Sequence, residues 1–245
     1  MSNNPLLARP DLPKRFYQIV DVIETPDGFT ILLDKRPMKT PARKPLAVPS
    51  RTVAEAVRAE WDAQQERIDP GTMPMTRLVN TTIDGILDDP EPVAADVARF
   101  AETDMLFYRA GEPEGLAVRQ RQRWDPVLDW AKDRLGVRFV LTEGVMHVAQ
   151  PEDSLSAVRR HVATFADGFA VAALHQVTTL TGSALLAFAL ADGRLTAEEA
   201  WALAHLDEDW NVEQWGADDE ATARRAMRWQ EMQAAAAILD SRRAG

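Results

Sequence analysis

Few side chains in this 245-residue chain have the means for catalysis. Its four histidines, His147, His161, His175 and His205, are scattered, and no two stand at the i, i+4 spacing that places a pair of metal ligands on one helical face. Cysteine is absent, which removes disulfides, thiolate metal sites and cysteine nucleophiles and fits a reducing compartment. There is no G-x-G-x-x-G, no phosphate-binding glycine loop and no G-x-S-x-G elbow. Two stretches remain. Thr181-Gly182-Ser183 has the form of a tight nucleophile turn, but it lies between apolar helical residues, where small side chains serve close helix packing. Asp207-Glu208-Asp209 offers three carboxylates. Consecutive helical residues diverge by about 100°, so these three do not converge on one hard cation.

The acids belong to a stretch, residues 193–216, that reads as a single helix. Thr196 followed by Glu199 forms a capping box, and Gly216 stands where a left-handed C-terminal residue is wanted. Leu203, Leu206 and Trp210 fall on one side. Trp201, Glu208 and Trp215, seven residues apart, fall on nearly the opposite side, with His205 and Val212 close by. A helix apolar on two faces lies deep in a bundle or shows one face to a partner. Glu208 is then either an acid at the edge of a packed face or a charge placed to meet a basic group, with Trp201 and Trp215 as anchors. Asp207 and Asp209 read as solvated surface acids.

The elements around this stretch change character along the chain. Residues 15–49 are β-like: a partly alternating run at 16–23, a turn at Thr25-Pro26-Asp27-Gly28, a return at 29–33, a second turn at 34–37 and a last short run at 46–48. This predicts a small antiparallel meander. Thr52 with Glu55 is a second capping box, opening a helix to about Arg67, and 75–87 reads as another helix. Pro90 and Pro92 mark a seam. Beyond it almost everything reads as helical: 93–103 leads into an apolar run, the helical period recurs at Trp124, Leu128, Ala131 and Leu135 up to Gly136 and at Leu155, Val158, Val162 and Phe165, and 218–239 is long and alanine-rich, a good helix former. Residues 137–141 and 145–148 read as two short extended segments. The apolar stretch 169–191 carries His175, Gln176 and three threonines, so it reads as a buried helix or helix pair and not as a membrane span.

Composition bounds the rest. With 46% hydrophobic and 27% charged residues the chain has the make-up of a soluble globular protein. A net charge of −10 argues against nucleic-acid binding and suits a protein with basic partners. Residues 1–13 lack the apolar core of a signal peptide and predict a loose arm.

Several blocks, taken in order, resemble one known family. They are Lys14-Arg15-Phe16-Tyr17, the run 33–41 (L-D-K-R-P-M-K-T-P), Glu60-Trp61 with Gln64, and 73–78 (M-P-M-T-R-L). Further on come Thr103-Asp104, Tyr108-Arg109, 122–126 (Q-R-W-D-P), Gly182-Ser183, and Leu206-Asp207-Glu208 followed by Gln214-Trp215-Gly216. The order and spacing resemble the assembly chaperones of the alpha subunit of F-type ATP synthase, from Lys14 to about Leu239.

That resemblance implies an α+β fold: a β-rich N-terminal domain with one or two helices over 1–90, and a larger, mostly α-helical domain over 91–245. It implies no enzyme activity, nucleotide, cofactor or metal, no nucleic-acid partner and no membrane insertion. The implied task is to bind unassembled alpha subunit and shield the surface that later meets the beta subunit. It further implies Glu208 as the functional spot, with Asp207, Trp215 and Trp201 beside it, while Arg36, Lys39 and Thr40 read as structural. Organelle relatives would work in the mitochondrial matrix and this bacterial form in the cytoplasm. In the second turn Lys35 replaces the family's glycine, which makes a left-handed turn position costlier. The competing reading is a small-molecule enzyme or ligand binder, using a buried Glu208 in a pocket walled by Trp201 and Trp215.

Overall fold

The computed structural model describes residues 12–165 and 167–243. The chain divides into two compact units, one ending at Asp84 and the other beginning at Gly85. The expectation of a loose arm at the N-terminus falls mainly outside the described residues.

In the first unit, β1 (Val20–Thr25) and β2 (Gly28–Leu33) form an antiparallel hairpin with Val20 opposite Leu33, and β3 (Arg36–Pro37) returns along β2. The β2–β3 turn places both Asp34 (φ 47°) and Lys35 (φ 68°) in the left-handed region, so lysine does occupy the costly position. Gly28 is required where it stands: at φ 116°, a Cβ there would lie 2.4 Å from the Val48 carbonyl oxygen. The run at 46–48 does not extend the sheet. It contributes one bridge, Phe29 to Val48, because Pro45 and Pro49 flank it and lack the N–H a ladder needs.

Helix α1 (Arg51–Asp62) lies against β1 and β2 and buries Val53, Ala54 and Val57 next to Ile31, Leu46 and Val48. It begins one residue before Thr52, so the expected Thr52–Glu55 capping box does not form. Inside the first turn Thr52 is past the capping position, and Glu55 pairs with Arg58 at 2.7 Å instead. Helix α2 (Pro74–Gly85) is capped from a distance, since the half-buried Glu60 carboxylate accepts from the N–H groups of Met75 and Thr76, both at 2.7 Å.

The second unit is helical. α3 (Glu91–Phe100) leads through a 3-10 turn at Met105–Phe107 to the two-residue β4 (Tyr108–Arg109). α4 (Glu114–Leu135) ends at Gly136 in the left-handed conformation, as its sequence predicts. The two extended segments expected at 137–141 and 145–148 are not strands; the pairing residues are β5 (Thr142–Glu143), parallel to β4. α5 (Glu152–Val162) follows.

The apolar stretch is a pair of helices, α6 (Gly168–Thr181) and α7 (Ala184–Ala191). They are joined by left-handed Gly182 and by Ser183, whose hydroxyl accepts from the Leu186 N–H at 3.0 Å. Every residue of α7 is buried, against α4, α6, α8 and α10, and this forms the core. α8 (Ala197–Ala204), α9 (Leu206–Trp215) and α10 (Asp219–Arg243) complete the unit. Among the described residues no helix is long and apolar enough to cross a membrane.

Candidate functional site

The single helix expected over 193–216 is two helices. Its start is as predicted, with Thr196 and Glu199 capping each other's backbone groups. Its middle is broken at His205, which has φ −107° and ψ 18°. The imidazole Nδ1 lies 2.8 Å from the Trp201 carbonyl oxygen, an acceptor that the His205 backbone N–H also uses at 3.2 Å. A side chain inserted into the helical ladder is a recognised cause of such kinks. Trp124 of α4 takes the nearby Leu203 carbonyl at 3.0 Å. At the far end Gly216 has a positive φ of 90° but an extended ψ of 165°, so it is not the left-handed cap expected.

The break decides where the candidate residues go. Trp201 is only 8% exposed, its ring 4.0 Å from His205 and 5.5 Å from Trp229. It is a core side chain, not the surface anchor the seven-residue spacing suggested, because that spacing assumed an uninterrupted helix. Glu208 is 65% exposed at its side chain and Trp215 is 87% exposed. Val212 lies between them at 44%. Residues 208, 212 and 215 have the i, i+4, i+7 spacing of one helical face. The outward ridge of α9 is therefore acid, aliphatic, indole.

The three acids point three ways, as consecutive helical positions require. Asp207 accepts from Gln120 Nε2 at 2.8 Å and so is not a solvated surface acid. Asp209 pairs with Arg225 of α10. Among the described residues Glu208 has His205 nearby, its Nε2 3.9 Å away, and it also acts electrostatically on Arg225, the partner of Asp209. Burial lowers the His205 pKa, with the Trp201 carbonyl opposing. With the proton on Nδ1 for that carbonyl, Nε2 presents a lone pair and gives Glu208 no cation.

α9 is held to α4 on its other side. Arg119 meets Glu213 through two bonds of 2.7 Å and lies 4.7 Å above the Trp210 ring. Gly115 gives that ring its room, since a Cβ there would stand 2.7 Å from Trp210 Cη2. The ridge is thus presented by a helix fixed through its opposite face.

Most other signature residues are bonded internally. Arg15 reaches the carbonyls of Tyr17 and Gln64, Tyr17 donates to the Trp61 carbonyl at 2.6 Å, and Asp34 accepts from Gln18 and Ile19 at 3.0 and 2.9 Å. Thr40 donates to Asp84, which agrees with its structural reading. Arg36 and Lys39, read the same way, make no side-chain hydrogen bond or ion pair among the described residues. Arg109 pairs with Asp125 at 2.8 Å above Trp124. Ser183 donates to the buried Asp104 at 2.9 Å, so its hydroxyl serves two helix ends and no nucleophilic attack.

Comparison with known proteins settles the family. A sequence model described as the ATP12 chaperone protein matches residues 14–132. The crystal structure of Atp12 from Paracoccus denitrificans superposes with a TM-score of 0.85 at 38% identity, covering 94% of this chain and 98% of that one. This chain belongs to the ATP12 chaperone family. The Atu1473 protein of Agrobacterium tumefaciens, described as a candidate chaperone, is similar at 53% identity and a TM-score of 0.89, with 98% and 92% covered. Protein atp12 of Schizosaccharomyces pombe, a mitochondrial protein, is 25% identical over 203 residues, 78% of this chain and 69% of that one. ATP12 chaperones thus include bacterial and mitochondrial proteins, and the α+β architecture is that of the family's solved structures.

Proposed function

We propose that this ATP12-family chain is a non-enzymatic assembly chaperone for the soluble head of F-type ATP synthase. It binds unassembled alpha subunit, works in the bacterial cytoplasm, and uses the α9 ridge as its contact. The observation that carries the contact is Glu208: a carboxylate 65% exposed, beside an indole 87% exposed, on a helix pinned from behind. An exposed tryptophan on a rigid support loses little conformational freedom on binding, and a charge beside it sets which partner fits. Asp207 and Trp201 support the ridge from within. A subunit interface that waits uncovered is an aggregation hazard, and a chaperone that yields to the true partner needs specificity more than strength.

The enzyme alternative needs Glu208 buried, with a raised pKa and Trp201 and Trp215 as walls. An exposed acid, with one tryptophan in the core and the other in solvent, favours the chaperone. Glu208→Lys is expected to melt within about 2 °C of the native chain, as exposed substitutions do. It should bind isolated alpha subunit at least about tenfold more weakly, since charge reversal opposes the partner's cation. Pull-down and light-scattering assays with alpha and, separately, beta subunit check this. Full protection of alpha by the folded variant removes Glu208 from the contact, and binding of the native chain to neither subunit removes the function.

A further inference from the structure

The N-terminal unit carries a concavity of about 450 Å³ whose walls include Phe16, Arg36, Pro37, Met38, Lys39 and Trp61. Three features set it apart from an ordinary surface dent. Phe16 is 70% exposed, although its ring meets the buried Tyr17 edge-on at 5.3 Å. Arg36 and Lys39 are cations without a hydrogen bond or ion pair among the described residues, in a chain with 38 acidic residues to supply partners. Trp61 keeps a buried Nε1–H with no acceptor, and a buried donor left unpaired is costly.

Asp34 also lines the space. Its Oδ1 accepts from the N–H groups of Gln18 and Ile19, and those bonds hold its pKa below the usual carboxylate value. Arg36, whose charge also helps lower the Asp34 pKa, and Lys39 thus face one carboxylate already engaged with backbone. Cations next to an aromatic and aliphatic wall match one chemistry: a carboxylate carried beside an apolar side chain.

We propose that this concavity is a second client site, which takes an acidic residue and its apolar neighbour on an extended segment of the client protein. The inference rests on the client-binding reading given above for α9, but its charge preference is the reverse. The α9 ridge offers a carboxylate to a basic group, and the N-terminal concavity offers guanidinium and ammonium to an acidic one.

The test uses the full chain and a fluorescein-labelled decapeptide alternating leucine with glutamate, against its lysine counterpart, read by anisotropy. The glutamate peptide should bind and the lysine peptide should not. The double variant Arg36→Glu/Lys39→Glu, both side chains being exposed, should fold and weaken binding at least tenfold. Phe16→Ser should weaken it severalfold. Equal binding of the two peptides, no binding of either, or no loss in the folded double variant overturns the proposal. So does full displacement of the peptide by equimolar citrate, which would assign the cations to a small anion. The peptide assay contains no client, so its failure leaves the α9 reading standing. A native chain that binds the peptide yet fails to protect alpha subunit removes that reading alone.

Discussion

Lys35 holds a backbone conformation that glycine holds at lower cost. Its φ of 68° follows Asp34 at 47°, and two consecutive positive values make the tight turn that closes β2 onto β3. A left-handed residue with a Cβ costs roughly 1–2 kcal/mol, and part of that returns as the smaller entropy lysine loses on folding. Lys35→Gly should therefore raise stability by about 0.5–1 kcal/mol, read as a shift of the urea midpoint at unchanged slope. No gain would mean the turn relaxes around lysine. At this scale the sequence was legible where partners are local. Thr196 and Glu199 announce their capping box from three residues apart, and Gly136 announces its helix end, whereas Gly182, read as a packing residue, also ends a helix. Asp104 was not legible as a cap, because its partners Ser183 and Leu185 lie 79 and 81 residues away. The same distance hid Arg36 and Lys39, whose lack of bonds shows only when the surroundings are assembled.

At the scale of elements, apolar content left one helix or two open where α6 and α7 stand, alanine content found α10 and periodicity found the second half of α4, but periodicity ran through the break at His205. The ladder nearly continues there, with His205 N to Trp201 O at 3.2 Å and Asp209 N to His205 O at 2.8 Å. No glycine or proline marks the site; the kink comes from an imidazole competing for a carbonyl and an indole from another helix. The consequence for function is that α9 aims independently of α8, and its aim depends on α4. Gly115→Ala tests this. Alanine favours α4 by up to about 1 kcal/mol in propensity, yet its Cβ would stand 2.7 Å from Trp210, so the ring and the ridge behind it must shift. The expected result is a melting temperature changed by only a few degrees, with protection of alpha subunit reduced severalfold. Unchanged protection would show that the ridge needs no fixed support.

For the whole molecule, the balance of buried titratable groups sets how stability follows pH. Asp104 is fully buried and its pKa is raised from 3.8 to about 6 by desolvation, against the bonds it accepts from Leu185, Ser183 and Leu106. Between those two values the folded state binds more protons than the unfolded one, so this group makes stability fall as pH rises from about 4 to 6. His161 and His205 act in the opposite direction. Burial lowers both pKa values, so the unfolded chain takes protons first and stability is lost as pH falls below about 6.5. A bare pH titration mixes the two, and the comparison with Asp104→Asn separates them, because the histidines are common to both proteins. The amide accepts at Oδ1 but has nothing to offer the Leu185 N–H, so the variant is less stable throughout. Its deficit relative to the native chain should nevertheless widen on going from pH 7 to pH 4, by on the order of 2–3 kcal/mol for a shift of this size. Urea unfolding of both proteins at pH 4.5, 5.5 and 7 measures it. A deficit constant across that range would mean that Asp104 stays ionised in the fold, held by its three bonds more strongly than burial opposes it.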